Sequence, residues 1–494
     1  MKHSDFSGGM IDVNVNLAPS NTVDLLLNVD ADVEIGSAVS RLGRATIGAQ
    51  IVDNNTILGL HQHIDTDTAA NNKLFATINA SGGATSVIRN VTDATTDVTG
   101  LTASTKMRSM TFLGATLFIN GADAERSYTS AGFITTGGAF DLANIPSSNK
   151  VKYCIEFLDR VYVAGDTAAL TTSRLYYSSV PTAGAVSWTS GNGNVDIEAE
   201  DGGGPITGLG KVPGYILIFK ERSMHRWNFS SAFPESLVQI GTPSQESVVM
   251  GGGLCAFYSN SNESAKGFYI TNGDRPICIS QDNNRPIKKW VDAIAAASEA
   301  NVAGWATDRY FAWSVGDLTV DGETFSNVVL KYNRLLNQWS MRTYPSEFRV
   351  FANYLVSSVN TTVGGDDDGT VYQLDKPATY TDAVTTTTQA FNWRVRQNHL
   401  TYGENFQKTL KDRVVLRGKN IGMIKASAIV DENLVNPIPL DGVRRSSKNI
   451  AEIGIGSAVS GRTISIDVSG ESSGARSYLR EIDVPSISMN NTYA

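Results

Sequence analysis

Short apolar segments separated by polar turns recur along the chain from about residue 51 to residue 380. Each unit holds an apolar segment, a turn, a second apolar segment and a loop rich in Thr, Ser and Gly, which predicts antiparallel hairpins. The paired segments are 56–60 with 73–78, 109–113 with 116–120, 153–157 with 160–164, 205–209 with 215–220, 254–258 with 267–270, and 310–314 with 327–332. The units therefore predict an all-β region with a coarse repeat.

The length of this repeat is roughly 40 to 60 residues, which is typical of β-propeller blades that pack radially on one another. Six or seven blades fit residues 51–380. The alternative is a pair of β-sandwiches, which needs strands every ~8–12 residues but no recurring unit of blade length. The pattern favours the propeller.

The two ends of the chain differ from this region. Residues 1–50 alternate through Ile11, Val13 and Val15 and predict an extended N-terminal arm. The Thr-rich stretch 385–388 predicts a linker into a C-terminal β-sandwich-like domain at 381–494. Its expected strands are 391–395, 413–417, 423–430 and 463–468. Alanines favour one short helix at 289–297.

The net charge changes the expected function. The chain has 494 residues, only 18% of them charged, and a net charge of −8, so a general attraction to phosphate groups is not expected. An acidic wall can still line a passage for DNA, because like charge keeps the polymer sliding.

Cysteine usage and hydropathy bear on the compartment. Cys154, Cys255 and Cys278 are odd in number and far apart, which predicts reduced, partly buried thiols. The N-terminus lacks the apolar core of a signal peptide, and no stretch approaches the ~18 apolar residues of a membrane helix. We expect synthesis in the cytoplasm and no stable membrane insertion.

Residues that could carry chemistry are few. His61 and His63 would share one face of a strand and could bind a metal with Asp65, although a polar strand face is the simpler interpretation. The acidic run 366–369 lacks EF-hand spacing, and Asp-Gly favours a tight turn over a calcium site.

Two further groups could be catalytic or phosphate-binding elements. Glu198, Glu200 and Asp201 could be the paired carboxylates of a glycosidase, but their spacing is equally that of a solvated loop. The glycine clusters 202–204 and 251–253 lack the GK[ST] of a phosphate loop and predict turns. We therefore expect no enzyme activity, no catalytic residue, no metal and no cofactor.

Basic residues could contact DNA phosphates, or could equally be ordinary interface charges. The candidates are Arg41, Arg44, Arg444, Arg445 and Lys448.

The order of elements at the N-terminus resembles that of the tail tube and nozzle proteins of short-tailed (podovirus) bacteriophages. Phe6-Ser7-Gly8-Gly9-Met10 begins a short apolar arm, Asn28 follows near its end, and then comes Arg41-Leu42-Gly43-Arg44. The stretches 205–210, 215–227 and 240–249, followed by 254–258 and 269–276, are similar to the central blade of DNA-packaging stabilisation proteins, the hubs of such tails.

This resemblance covers about half of the chain and implies a function. It implies a structural virion protein of the tail, a hub or nozzle that forms a ring, a homohexamer, below the portal and adaptor. That ring would retain the packaged genome and form the channel for DNA ejection without sequence-specific binding. Implied partners are further copies, the adaptor or head-to-tail connector, and tail fibre, tailspike or needle proteins.

Two other functions stay open. A tail receptor-binding or glycan-degrading propeller could stack sugars on aromatic side chains, although one tryptophan per unit also fits packing between blades. Those tryptophans are Trp188, Trp227, Trp305, Trp313 and Trp339. A cellular propeller that serves as a protein-interaction platform is the third possibility.

Overall fold

A computed structural model describes the chain apart from residues 1, 13–17, 52–54, 66–67, 69–70, 136–137, 143–144, 146–149, 168–171, 183, 198–203, 232, 262–265, 282–285, 357–358, 399–405, 411, 422–423, 435, 441–442, 447–448, 456–458, 473, 485–486 and 492–494. Its described regular structure is almost entirely β-strand, which confirms the all-β prediction. The helix expected at 289–297 is two shorter helices, Lys288–Asp292 and Ala296–Glu299. A 3₁₀ turn lies at Gln245–Ser247.

Seven units of four antiparallel strands follow one another, and we call them sheets 1 to 7. Sheet 1 is Ile57–His63, Lys73–Asn79, Thr85–Asn90 and Thr95–Thr102; sheet 2 is Arg108–Phe112, Ala115–Ile119, Arg126–Thr129 and Gly132–Thr135; sheet 3 is Tyr153–Phe157, Arg160–Ala164, Arg174–Tyr177 and Gly193–Asp196; sheet 4 is Ile206–Val212, Tyr215–Lys220, Met224–Trp227 and Glu235–Val238. Sheet 5 is Val249–Gly251, Leu254–Ser259, Gly267–Thr271 and Ile277–Cys278; sheet 6 is Ala303–Ala306, Tyr310–Val320, Glu323–Asn333 and Gln338–Thr343; sheet 7 is Phe348–Val356, Val359–Asp366, Val371–Gln373 and Ala45–Thr46. The hairpins expected from the sequence all occur in these sheets.

The seven sheets form a closed, β-propeller-like ring. The first strand of each sheet lies beside the first strand of the next, and that of sheet 7 lies beside that of sheet 1. Apolar side chains fill the space between neighbours: Phe75 and Phe118 join sheets 1 and 2 with ring centroids 5.7 Å apart, and Phe219 and Phe257 join sheets 4 and 5 at 4.9 Å. Each sheet thus buries its face against the next, which is the packing that blade-like repeats require.

The N-terminal segment completes the ring. Ala45–Thr46 is the fourth strand of sheet 7, where Thr46 pairs with Tyr372. The other three strands of this sheet come from more than 300 residues further along the chain. Ring closure therefore depends on a contact that is remote in sequence.

The remaining strands form four further groups around the N-terminal segment. Sheet 6 continues into a ten-stranded sheet through Gly9–Met10, Thr22–Leu27, Asn392–Gln397, Ile464–Glu471, Ile424–Val430 and Ile438–Pro439. A seven-stranded sheet holds Val29–Asp30, Ala38–Ser40, Tyr478–Asp483, Arg413–Lys419, Ile450–Gly454, Val443–Ser446 and Lys2–His3. Smaller sheets are Val459–Gly461 with Phe406–Leu410 and Ile487–Asn491, and Asp382–Val384 with Thr387–Gln389.

These two larger sheets share one hydrophobic core, to which Val395 and Val468 contribute from one side and Leu416 and Ile482 from the other. Residues expected as an extended arm thus pair within the fold. Residues 385–388, predicted as a linker, lie in the turn and second strand of the hairpin Asp382–Val384 and Thr387–Gln389. Four threonines in a row suit an exposed strand as well as a linker.

Candidate functional site

The first strands of all seven sheets surround a central channel. This cavity has a volume of about 480 Å³. Its walls include one or more side chains or backbone segments from each sheet: Leu60, Ser109, Ile155, Leu209, Met250, Gly304 and Phe351. The channel is therefore the place where every unit of the ring meets.

An ion pair crosses this channel between sheets that are not neighbours. Glu246, which precedes sheet 5, lies with its Oε1 2.8 Å from Nη2 of Arg108 in sheet 2. Its Oε2 lies 3.2 Å from Nζ of Lys106. Burial by itself would raise the pKa of Glu246, but Arg108 and Lys106 outweigh it and lower that pKa to about 2. The carboxylate is therefore charged at neutral pH.

A second pair, Lys211 of sheet 4 with Glu156 of sheet 3, lies in the same cavity. The two pairs Arg108–Glu246 and Lys211–Glu156 each join a cation to a carboxylate, so they link different sheets across the channel. None of the four residues Arg108, Glu156, Lys211 and Glu246 was singled out as a site from the sequence. The only signal was that Glu246 lies within the stretch 240–249 that carries the family resemblance.

His61, His63 and Asp65, the residues that could have formed a metal site, are not brought together. His61 Nδ1 lies 2.5 Å from Ser109 Oγ, and His63 Nδ1 lies 2.9 Å from Thr116 Oγ1. Asp65 instead accepts backbone and side-chain hydrogen bonds within its own loop. Burial lowers the pKa of His61 to about 3. In the described part of the chain, no three His, Cys, Asp or Glu side chains are placed to hold a metal ion.

The acidic run 366–369 is the turn that the sequence favours. It joins Val359–Asp366 to Val371–Gln373. Asp366 Oδ1 accepts hydrogen bonds from the backbone N–H groups of Asp368 at 3.1 Å and Thr370 at 2.8 Å. The first carboxylate therefore stabilises the turn itself.

Other candidates fall outside the described residues or serve as turns. Glu198, Glu200 and Asp201 lie outside them, as do Lys448 and the first two glycines of 202–204. Gly252 and Gly253 form the turn between Val249–Gly251 and Leu254–Ser259. Arg444 and Arg445 belong to the strand Val443–Ser446.

Arg41 and Arg44 do not face DNA, because both are buried within the fold. Arg41 donates two hydrogen bonds to the Asp382 carboxylate, from Nη1 at 2.9 Å and Nη2 at 2.5 Å, and its Nε donates to Asn28 at 2.9 Å. Its guanidinium also lies 3.8 Å from the centre of the Phe391 ring. Burial alone would lower the pKa of Arg41, but Asp382 outweighs it and raises that pKa.

A second buried ion cluster lies next to this one. Asp30 Oδ1 lies 2.8 Å from Nζ of Lys331 and 2.8 Å from Nη2 of Arg342, both in sheet 6. Burial would raise the pKa of Asp30, but these two cations hold it far below its usual range. We call Asn28, Asp30, Arg41, Arg342 and Asp382 the clamp, because they tie the N-terminal segment to sheet 6 and to the hairpin beyond sheet 7.

Glycines allow the backbone of the N-terminal segment to lie close to neighbouring backbone. A Cβ on Gly43 would lie 1.9 Å from the backbone oxygen of Thr381, and one on Gly8 would lie 2.5 Å from that of Asn21. Gly9 has φ +74°, and a Cβ there would lie 2.7 Å from Gln338 Cβ. Larger residues would therefore force the backbone apart at each position.

The tryptophans considered for sugar stacking are buried. Trp305 packs on Phe351 of sheet 7 with ring centroids 4.5 Å apart, and Trp227 packs on Tyr162 of sheet 3 at 6.1 Å. The indole N–H of Trp313 donates to Ser247 O at 2.9 Å. Trp188 and Trp339 are buried as well. All five contribute to packing, and none presents a ring to solvent.

The three cysteines are free thiols. Cys255 is buried, and burial raises its pKa; burial also raises the pKa of Cys154 to about 12. Neither group therefore has the thiolate character of a nucleophile.

Comparison with known proteins leaves the family open. No family model and no curated protein matches the chain. Among solved structures, the chain is similar to one described as "AfRom2 CNH domain", with a TM-score of 0.39 and 10% sequence identity, over 68% of this chain and 99% of that chain. At that TM-score the likeness supports no conclusion about function. No helix in the described ranges is long and apolar enough to cross a membrane.

Proposed function

We propose that the chain is a non-enzymatic structural subunit of a short bacteriophage tail. In this proposal it is the hub or nozzle protein that attaches below the portal and adaptor, retains the packaged genome and forms the channel for DNA ejection. Sheets 1 to 7 are then the blades of a seven-bladed β-propeller, and residues 381–494 contribute most of a β-sandwich-like domain. Six copies form a ring in the virion, next to adaptor and fibre, tailspike or needle proteins.

The observation that carries this proposal concerns the residues of the N-terminal resemblance. Phe6 and Met10 are fully buried, Asn28 accepts a hydrogen bond from Arg41, and Gly43 makes room for the backbone of Thr381. These residues are spread over about 40 positions of sequence, and each has a structural role in joining the N-terminal segment to the rest of the fold: Met10 pairs with Trp339, and Asn28 donates to Thr343. Structural roles at these positions support the resemblance, which rests on the same residues.

The channel of one subunit is not the path for the genome in this proposal. Its volume of about 480 Å³ is that of a small-ligand pocket, and the Glu246–Arg108 pair crosses it. DNA must therefore pass through the centre of the ring of subunits. The net charge of −8 suits a wall along which DNA slides without being held.

Rigidity is the second property that a genome-retaining subunit needs. The ten-stranded sheet runs without interruption from sheet 6 of the ring into the C-terminal strands. Partly buried ion pairs lie along it: Arg396 Nη2 is 2.7 Å from Glu323, and its Nη1 is 3.3 Å from Asp24. Load applied to one part of the subunit would therefore pass directly to the other.

The test is assembly on the connector. The chain is produced with the portal and adaptor proteins encoded in the same genome, and the mass of the purified complexes is measured, with the portal alone as the control. We expect six copies of the chain on each portal–adaptor complex and none on the portal alone. A folded chain that does not bind the portal–adaptor complex, or that depolymerises a surface polysaccharide, would refute the proposal.

A further inference from the structure

Exposed apolar side chains are concentrated on one face of the ring. In sheets 1 to 6, the turn from the first to the second strand and the turn from the third to the fourth strand lie at the same end of the sheet. Sheet 7 takes its fourth strand from the N-terminal segment, so it contributes only the turn from its first to its second strand. Contacts between sheets align these ends: Arg334, in the last turn of sheet 6, donates to Gly251 O beside the first turn of sheet 5 at 3.0 Å. Gly273, in the last turn of sheet 5, lies beside Tyr215, which follows the first turn of sheet 4. We call this surface the turn face.

Twelve large hydrophobic side chains are exposed among the described residues, and nine of them lie in or next to the turns of this face. They are Ile64, Leu113, Leu158, Val180, Phe233, Met250, Ile277, Leu335 and Val359. Among the described residues, the turns at the opposite end of the sheets contain none of the twelve. The two faces of the ring therefore differ in how many large hydrophobic side chains they expose. Two of the nine, Leu158 and Met250, line one cavity, and a contiguous apolar surface of this kind is typical of binding sites.

The turn face carries both a cavity and protruding side chains. A cavity of about 410 Å³ lies between the first turns of sheets 3, 4 and 5. Apolar groups that line it include Phe157, Leu158, Pro213 and Met250. Phe233, in the last connection of sheet 4, is 76% exposed. A two-fold contact requires one surface that holds both the projecting and the receiving groups, and this surface has both.

Charges on the turn face are of both signs. Asp159 stands next to Arg160, Asp274 next to Arg275, and Asp308 next to Arg309, each pair within or beside a turn. Asp274 also pairs with Arg226 within the chain, at 3.0 Å. A face that carries charges of both signs attracts neither a strongly acidic nor a strongly basic partner. It is complementary to a second copy of itself, because rotation about a two-fold axis can place acid opposite base.

The apolar area suits an interface between two proteins. Full burial of one such side chain removes roughly 60–120 Å² from water, so nine side chains between 40% and 76% exposed supply on the order of 450 Å². A standard interface takes about 800 Å² from each protein, a little over half of it apolar. The two apolar areas agree.

We propose that the free chain pairs with a second copy through the turn face, with the two rings face to face about a two-fold axis. This inference does not depend on the tail proposal, which concerns the chain on its connector. In the pair, Phe233 and Leu158 lose their exposure to water. The pair thereby covers the apolar face before other proteins bind the chain.

The test is the mass of the purified chain by light scattering after size exclusion, over a range of concentrations. The variants are Leu158→Asp and Phe233→Asp, and the matched control is Ile134→Asp, which changes a side chain 40% exposed on the outer strand of sheet 2. Near-ultraviolet circular dichroism checks that each variant is folded. We expect twice the 53.0 kDa of one chain for the wild type and for Ile134→Asp. Each face variant should dissociate at least 10-fold more readily.

Three results would overturn the pairing. The first is a monomeric wild type at every concentration. The second is dissociation by Ile134→Asp to the same extent as by the face variants. The third is a mass of six chains that neither face variant lowers, which would favour the tail ring while rejecting this contact. The pairing and the tail proposal can thus fail separately.

Discussion

Replacing Arg41 by methionine tests whether the clamp holds the N-terminal segment in place. Methionine fills much of the same volume but leaves the Asp382 carboxylate buried without its cation. In the wild type, Arg41 and Asp382 are 0% and 2% exposed at their side chains. Removing one partner of such a buried pair costs about 3–5 kcal/mol of the free energy of unfolding. That cost corresponds to a loss of roughly three orders of magnitude in the folding equilibrium.

The assay is urea denaturation followed by tryptophan fluorescence, which reports on Trp339 and Trp393 in the ten-stranded sheet that adjoins the clamp. The matched control is Arg480→Met. Arg480 also pairs with an acid, Glu34, but its side chain is 51% exposed, so its loss should cost about 0–1 kcal/mol. A large difference between the two variants is expected.

The double variant Arg41→Met with Asp382→Leu separates charge from packing. It removes the stranded carboxylate, so most of the lost stability should return. Arg41→Met that costs no more than Arg480→Met would refute the reasoning. So would a double variant no more stable than the single one, because the cost would then lie in packing around Phe391 and not in the ion pair.

Three further outcomes follow from the structure. Glu246→Gln should lower the free energy of unfolding at pH 7 by up to about 3 kcal/mol. Because the pKa of Glu246 in the fold is lowered to about 2, the wild type loses this extra stability as the pH falls from about 4.5. Equal losses of stability in the variant at pH 7 and at pH 2 would contradict the ion pair. The pKa of His61 is about 3 in the fold, so the unfolded chain binds the proton first and the free energy of unfolding decreases as the pH falls below about 6.5. In His61→Asn, the free energy of unfolding should decrease less steeply with falling pH. An equally steep decrease in this variant would contradict the burial of a neutral His61. Gly43→Ala should lower the free energy of unfolding by about 3 kcal/mol or more. Gly214→Ala, at φ +87° with open space around it, should lower it by about 1–2 kcal/mol. Similar melting temperatures for the two variants would contradict the close approach at Gly43.

The hairpins named for sheets 1 to 6 were predictable because each of their strands carries its own signal. Tyr215–Lys220 is a run of mostly apolar residues that follows a Pro-Gly turn. The neighbouring strands also end at turn residues. Periodicity and turn residues are local properties, so they can be recognised in the sequence without knowledge of the rest of the fold.

The clamp was not predictable, because its contacts join residues far apart in sequence. Arg41 and Asp382 are 341 positions apart, and Asp30 and Arg342 are 312 apart. A pair of arginines around a glycine indicates either a surface or a buried pair, and only the tertiary structure decides which. The expectation of an extended arm had the same limit, since Gly9–Met10 and Ala45–Thr46 are too short to be recognised as strands without their partners.

Electron cryomicroscopy of the chain bound to its portal–adaptor complex tests the central claim most directly. The account predicts a ring of six subunits below the adaptor, each with a seven-bladed propeller-like ring, and density for DNA along the common axis outside the individual channels. A single copy on the complex, or DNA density that enters the channel of one subunit, would contradict it.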